Sequence, residues 1–391
     1  MSYQPFALKY RPQNFEEIVG QEHVSRTLRQ AVASGRVSHA YLFAGPRGTG
    51  KTSTARVLAK ALNCEHGPTP EPCGVCAACR AIQAGSFMDV IEIDAASHRG
   101  IDDIRELREK VKYGPAEGRV KVYILDEAHQ LTNEASNALL KTLEEPPAHS
   151  YFVLATTEAH KFLPTIMSRC QRFDFRAIPA GQIVEALRAI AGREAVEIDD
   201  GGLWLIAEAA AGAMRDAESI FDQVVAYAEG AIDREVVAQV LGLTRQELLE
   251  RTLALVAEGN LGELFALVDE LLREGRDLPQ YLKDLTAFVA ELLRVQLGAE
   301  APGWSRTAPE RAEALHKLAA DLGRQRLMGI ITALAMAQER LREGAQEILT
   351  VALVLAKVAS PASPPTPLSS QERGSQTAEE APRAPEQVAA P

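Results

Sequence analysis

The sequence predicts an α/β protein: a parallel sheet with helices on both faces, followed by segments that are helical only. Three observations predict it. Between residues 40 and 175, short apolar runs rich in Val, Ile, Leu and aromatics alternate with helix-like stretches, the pattern of βαβ units. A glycine-rich turn, Gly45 to Thr52, separates the first run from the first long helix. After Pro179 the strand-like runs stop, and apolar residues recur at helical spacing alone.

Taken in order, HAYLFAG, MDVIEID, VKVYILDE and SYFVLATT read as buried strands, with QRFDFRAI as a further one. Between them KTSTARVLAKALN, GIDDIRELREKVK and NEASNALLKTLEE read as helices. Residues 1–178 are expected to form this α/β domain, with an insertion at 64–79. GQIVEALRAIAGRE, GGLWLIAEAAA and MRDAESIFDQVVAYAEG, punctuated by Gly and Asp, make a small helical domain over 179–242. Amphipathic helices broken near Gly259, Gly275 and Pro302 make a second helical domain over 243–359. Residues 360–391 hold seven of the 21 prolines and few large apolar side chains. Such a segment cannot bury enough surface to offset its ordering entropy, so a disordered tail is expected.

Composition excludes several classes. With 391 residues, 46% hydrophobic and 24% charged, the chain is neither collagen, nor wholly disordered, nor a disulfide-rich miniprotein. The longest apolar run, near Ile348–Ala356, falls far short of the roughly 20 residues of a membrane span. The N-terminus lacks the basic-then-apolar pattern of a secretory signal, so a cytoplasmic location is expected. The net charge of −11 is unevenly spread: residues 1–178 carry 22 Lys+Arg against 20 Asp+Glu, the remainder 20 against 33. An acidic total argues against a chain that coats nucleic acid by its own charge. It leaves room for DNA contact by the N-terminal part in an assembly that clusters basic groups.

Gly45-Pro46-Arg47-Gly48-Thr49-Gly50-Lys51-Thr52 matches the phosphate-loop pattern G-x-x-x-x-G-K-[ST], with a strand before it and a helix after it. The glycines let backbone N–H groups turn toward phosphate oxygens, and the helix N-terminus adds a favourable dipole. Lys51 can reach the β- and γ-phosphates, the Thr52 hydroxyl can ligate Mg²⁺, and Ser53 follows in the first turn. The second half of such a site is a carboxylate at the end of a neighbouring strand. VKVYILDEAH supplies Asp126, expected to hold Mg²⁺ through water, and Glu127, expected to polarise the attacking water. Together they point to phosphoryl transfer to water.

Four of the five cysteines cluster as C-x₈-C-x₂-C-x₂-C: Cys64, Cys73, Cys76 and Cys79. Four thiolates suit a tetrahedral, structural Zn²⁺; an iron–sulfur cluster, two disulfides or free thiols are the alternatives. Cys170 lies apart and is assigned no redox role. The segment from Asp94 to Arg105 leaves a strand and opens a helix, and its N–H groups with Arg99 and Arg105 could hold phosphates. The alternative is a solvated helix face whose arginines pair with Asp102, Asp103 or Glu109.

With the phosphate loop, the DEAH stretch and Ser168-Arg169-Cys170 in view, the chain resembles the AAA+ clamp-loader ATPases, most closely the gamma/tau family of bacterial DNA polymerase III. LKYRPQNFEEIVGQEHV, the four-cysteine insertion, NALLKTLEEPP and SRCQRFDF extend the resemblance through most of residues 1–242. Residues 243–359 match in helical character and placement only. The resemblance implies an AAA+ sheet, a helical lid and a helical collar. It implies ATP between sheet domain and lid, with adenine gripped by Ala7, Tyr10, Arg11, Pro12 and Val19. It implies a γ-phosphate sensor at Thr157, with Thr156 as rival, a lid arginine at Arg215, and an arginine finger at Arg169 that completes the neighbouring subunit's site. It supports zinc at the cysteines and DNA facing the Arg99–Arg105 region.

The implied cofactors are ATP, Mg²⁺ and Zn²⁺. The implied partners are delta and delta-prime subunits, other gamma/tau copies, the beta sliding clamp, primer–template DNA contacted through its backbone, and single-stranded DNA-binding protein or its adaptor. Phe6 and Tyr10 are candidates for contacts with other subunits. Because the chain ends soon after a proline-rich stretch, it resembles the short form of the family or a truncated one. The helicase and polymerase contacts of the longer form are therefore not assigned to it. The rival readings are a non-catalytic AAA+ subunit with an inert pocket and a differently targeted subunit of another DNA-remodelling assembly.

Overall fold

The structure, a computed structural model, describes residues 3–244, 246–298 and 309–360. The expected break near Pro302 and the tail beyond Ser360 lie outside the described residues. Contacts divide the chain into two units: one holds residues up to 245 together with 291–320, the other 246–290 and the residues from 321 onward.

The first unit is built on a five-stranded, wholly parallel sheet: β1 (Ala40–Ala44), β2 (Val90–Asp94), β3 (Lys121–Asp126), β4 (Ser150–Thr156) and β5 (Gln171–Asp174), in the order β2-β3-β4-β1-β5. β1, β3 and β4 are central, and their near-continuous apolar sequences follow from burial on both faces. β2 corrects the sequence reading. It is not a buried strand but an edge strand bonded to β3 alone, and Glu92 and Asp94 are exposed. The acidic residues alternating with Ile91 and Ile93 fit a strand with water on one side.

Helices cover both faces. Before β1 come α1 (Phe6–Lys9) and α2 (Glu22–Ala33); between strands lie α3 (Lys51–Asn63), α4 (Ala77–Ala84), α5 (Ile101–Val111), α6 (Asn133–Glu144) and α7 (Pro164–Met167). Leu28 of α2 and Leu58 and Leu62 of α3 pack with Phe43, Val122 and Val153 on one face of the sheet. Leu107 of α5 and Leu139 and Leu143 of α6 pack with Leu42, Tyr123 and Phe152 on the other. Each of these side chains fills the interior at spacings three or four residues apart along its helix. Thr132 starts α6 by accepting the Ala135 N–H at 3.2 Å.

Four helices follow with a core of their own: α8 (Ala180–Glu194), α9 (Asp200–Ala209), α10 (Met214–Tyr227) and α11 (Arg234–Val240). Leu187, Leu203, Ile206, Phe221 and Val237 meet there. Asp199 and Asp233 cap α9 and α11. Phe6 joins this core, its ring 5.5 Å from that of Phe221. It is therefore an anchor within the chain, where the sequence offered it only as a candidate for contact with other subunits.

The helices beyond are α12 (Gln246–Glu258), α13 (Leu261–Arg273), α14 (Leu278–Gln296), α15 (Pro309–Leu322), α16 (Arg324–Arg342) and α17 (Glu347–Ala359). In the second unit the buried Thr252 and Tyr281 hydroxyls share a hydrogen bond of 2.8 Å, and Gln338 donates to Thr286 at 2.7 Å.

Candidate functional site

β1 ends at Ala44, and the chain turns at once through the glycine-rich loop into α3. Gly45 has φ +150°, and a Cβ there would lie 2.3 Å from the Phe175 carbonyl oxygen, so no other residue fits. At Gly48, φ +75°, a Cβ would lie 2.7 Å from that of Ala213, just before α10. The four-helix segment thus reaches the loop, and the Arg215 N–H donates to the Gly48 carbonyl at 3.4 Å. No side chain caps the start of α3, so its first-turn N–H groups are open to an anion.

Lys51 is 6% exposed, and its Nζ donates to the carbonyls of Gly45 at 2.8 Å and Pro46 at 2.7 Å. Burial pushes its pKa below the ordinary lysine value, while Glu127 and Asp126 pull it back. Thr52 Oγ1 donates to Asp126 Oδ2 at 2.8 Å, joining the loop helix to the end of β3. Glu127 has φ +44°, a left-handed conformation unusual for a side chain of this size. Its Oε2 accepts the Thr157 hydroxyl at 3.0 Å. Thr156 is fully buried, and its Oγ1 is engaged by the Glu158 N–H at 3.0 Å and His129 Nδ1 at 3.1 Å. Thr157, not Thr156, lines the cavity.

That cavity is about 880 Å³ and lies between the sheet's carboxyl end and the four-helix segment. It gathers Gly48, Thr49, Gly50, Lys51, Thr52 and Ser53 from the loop, Asp126, Glu127 and Thr157 from the strand ends, and Arg215 from α10. Ala7, Tyr10, Arg11, Pro12 and Val19 form its N-terminal wall. Tyr10 donates to Glu194 of α8, and burial pushes its pKa up to about 12. Of the predicted phosphate-loop residues, Gly45 shapes the turn without lining the space.

Sequence reasoning missed several wall residues. Ala186, Ala189 and Ile190 of α8 and Met214 give an apolar surface opposite the loop. The i, i+3, i+4 spacing on α8 was a visible signal, but a small-residue stripe looks like any packing face. Glu218 of α10 is 7% exposed, and burial raises its pKa to about 7 while Arg11 works the other way. His129 was also missed: Nδ1 stands 3.4 Å from Glu127 Oε2, and Nε2 3.1 Å from Glu158 Oε2.

Three predicted residues lie apart from the cavity. Arg169, just after α7, donates to the Thr165 carbonyl at 2.6 Å and pairs with Glu144. Arg99 is exposed, and Arg105 pairs with Asp102 at 2.9 Å.

A second centre lies at the far end of α3. Cys64 caps that helix, and Cys73, Cys76 and Cys79 come from the insertion, their sulfurs and that of Cys64 all within 4.8 Å of one another. A tetrahedron with metal–sulfur bonds of about 2.3 Å has edges of about 3.8 Å, so the donor set fits Zn²⁺ with no open position. The Cys76 N–H donates to Cys73 Sγ and the Cys79 N–H to Cys76 Sγ, each at 3.4 Å. Backbone N–H groups of Val75 and Cys76 hold the Cys73 thiol down to about 7, toward the thiolate a metal needs. Cys170 stands apart, its pKa pushed by burial to about 12.

Comparison with known proteins divides the chain into three consecutive matches. A family model described as DNA polymerase III, delta subunit, covers residues 20–179. One for the DNA polymerase III clamp loader subunit, ATPase lid domain, covers 182–230, and one for DNA polymerase III subunits gamma and tau domain III covers 232–373. DNA polymerase III subunit gamma of Buchnera aphidicola is 39% identical over 247 residues, 63% of this chain and 67% of that protein.

The chain belongs to the DNA polymerase III gamma/tau family.

DNA polymerase III subunit tau of Bacillus subtilis is 47% identical over 303 residues, 78% of this chain and 53% of that protein. The tau subunit of Escherichia coli K12 is 44% identical over 310 residues, 79% of this chain and 48% of that protein. The chain thus spans about half the length of these two members. The AAA+ class expected from the sequence accords with a parallel sheet, a lid and a helical gamma/tau domain in succession.

Proposed function

We propose that this chain is an ATP-hydrolysing motor subunit of a clamp loader, which opens the beta sliding clamp and places it on primer–template DNA for processive replication. One observation carries the reading. The loop helix and the strand ends meet through the Thr52–Asp126 and Glu127–Thr157 bonds inside a single cavity that Arg215 also lines.

On this reading the loop N–H groups and Lys51 hold the β- and γ-phosphates, and Lys51 leaves the Gly45 and Pro46 carbonyls to do so. Thr52 and Asp126 would hold Mg²⁺, which would offset negative charge developing on the phosphates. Thr157 hands its hydroxyl from Glu127 to the γ-phosphate, which frees the Glu127 carboxylate to orient the attacking water. Arg215 reports phosphate occupancy to the lid through its contact with the loop. Ala7, Tyr10, Arg11, Pro12 and Val19, with the α8 surface, enclose the base. Arg169 lies outside its own cavity and completes the site of an adjoining copy. Cys64, Cys73, Cys76 and Cys79 hold a structural zinc.

The same reading makes residues 1–178 the AAA+ domain, 179–242 the lid and 243–359 the collar. Partners are delta and delta-prime subunits, other gamma/tau copies, the clamp and DNA, whose backbone Arg99 and Arg105 contact. The nucleotide drives the cycle only by binding the open and closed assemblies unequally.

The test is reconstitution of the full chain with delta, delta-prime and clamp, scoring ATP-dependent loading onto primed circular DNA. Lys51→Ala is expected to abolish loading. Arg169→Ala is expected to keep ATP binding while DNA-stimulated turnover falls by roughly 10³–10⁵-fold. Loading by Lys51→Ala at the wild-type level refutes the motor reading; unchanged turnover in Arg169→Ala refutes the finger.

A further inference from the structure

Lys60 is 2% exposed and among the largest fully buried side chains of the protein. A lysine ammonium carries three donors and a full charge, and a buried charge without a counter-charge is costly. Among the described residues its one hydrogen-bond acceptor is the neutral Gln13 side chain. Among the described residues, no carboxylate forms an ion pair with it. Glu17 is the acid within electrostatic range, but its carboxylate accepts the Gln13 N–H at 2.7 Å and Asn14 Nδ2 at 2.9 Å. Arg56, one turn earlier on α3, adds a like charge. Among the described residues the ammonium therefore lacks a partner of opposite sign within salt-bridge distance.

The cysteine centre has the complementary deficit. Cys64 follows Lys60 by one helical turn, its N–H donating to the Lys60 carbonyl at 2.8 Å, so both side chains leave α3 on one face. Cys64 and Cys79 are fully buried, and Cys76 nearly so. Four thiolates around one Zn²⁺ carry a net charge of −2, and three of the four ligands are buried, Cys73 being half-buried at the edge. Burial works against the Lys60 charge, and the groups that favour it are Cys79, then Glu17, then Cys76.

We propose that Lys60 is the counter-charge of the metallated cysteine centre, balancing the excess negative charge of four thiolates on zinc and tying the metal to the helix whose other end carries the phosphate loop. This rests on the zinc reading above. Lys60 is a positioning residue: it touches neither nucleotide nor metal, and it acts by offsetting the net negative charge of the zinc–thiolate centre. Partners of this kind typically change metal affinity by about 10–100-fold.

The experiment measures zinc content and zinc affinity of the full chain by competition with a chromogenic chelator. It compares wild type with Lys60→Met, which keeps the stem and removes the charge, and Lys60→Arg, which keeps the charge. Lys60→Gln serves as a second neutral variant should Lys60→Met fail to fold. The expected result is about one zinc per wild-type chain, affinity about 10–100-fold weaker in the neutral variants, and recovery toward wild type in Lys60→Arg. Thermal unfolding separates charge balance from simple packing. In a metal-free Cys76→Ser/Cys79→Ser background the lysine has lost its counter-charge, so Lys60→Met should leave the melting temperature unchanged or raise it. Equal zinc affinity in wild type and the neutral variants overturns the proposal. So does a loss of stability from Lys60→Met that is the same with and without the cysteines. A wild-type chain that holds no zinc overturns the zinc reading itself, and this inference with it.

Discussion

The two ends of α3 carry the same side chain in opposite roles. Lys51 at the first turn and Lys60 near the last are both buried, and both have their pKa values lowered chiefly by burial. At the N-terminal end the ammonium rests on two backbone carbonyls beside an uncapped helix start, with Asp126 and Glu127 nearby. That arrangement satisfies two of its three donors while leaving it available to an incoming anion. At the C-terminal end the ammonium reaches one neutral amide, one helical turn before the first residue of the cysteine cluster. The difference teaches how to read a buried lysine. On the readings above, one that borrows carbonyls is waiting for a mobile anion, and one that borrows almost nothing has a fixed anion on its own helix face.

Separate substitutions can break that comparison. The largest effect is expected at the N-terminal end. Glu127→Gln should lower ATP turnover by about 10²–10⁴-fold while nucleotide binding and zinc content stay at the wild-type level; a parallel loss of zinc would show that the two ends of α3 are not independent. Lys51→Met should weaken nucleotide binding on the order of a hundredfold, since it removes charge-assisted hydrogen bonds, and calorimetric titration would read it.

Glu218 supplies the reverse case, a carboxyl enclosed near Arg11 with its pKa raised by burial to about 7. The folded chain binds its proton more tightly than the unfolded chain. The resulting stability is complete below the ordinary glutamate range and disappears as pH rises toward 7, a loss of about 3 kcal/mol. Glu218→Gln should flatten the fall in unfolding free energy between about pH 4.5 and 7, measured by denaturant titration of the nucleotide-free chain. An unaltered slope would show that Arg11 balances the carboxylate after all. The smallest effect belongs to Glu144→Ala. An ion pair with both side chains partly exposed contributes about 0–1 kcal/mol, so stability should hardly change while Arg169 gains freedom.

Much of the fold was legible because its signals are local. The phosphate loop, the apolar strand followed by Asp126 and Glu127, and the cysteine spacing each sit within a dozen or so residues, and the structure brings them to two places on one helix. What escaped was set by neighbours distant in sequence. MDVIEID has the apolar content of a central strand, but pairing with β3 alone left it at the edge. Phe6, a candidate subunit contact by sequence, meets Phe221 of α10 within the chain. The α8 stripe at Ala186, Ala189 and Ile190 becomes a cavity wall only where the loop lies opposite it. His129 joins Glu127, Thr156 and Glu158 from two strand ends, and no spacing along the chain encodes that meeting. The choice between Thr156 and Thr157 depended on partners met at the end of β4: His129 and Glu158 engage the first hydroxyl, and Glu127 accepts the second.

The guanidinium of Arg169 sits beyond α7, outside the hollow that its own chain encloses. On the proposed reading the reaction is therefore divided between two polypeptides, and its speed reports neighbourliness more than occupancy. Saturating nucleotide cannot replace an adjoining copy. A solitary molecule should stay loaded and idle, while crowding the same molecules together should start them turning over with no change in how tightly each one grips ATP.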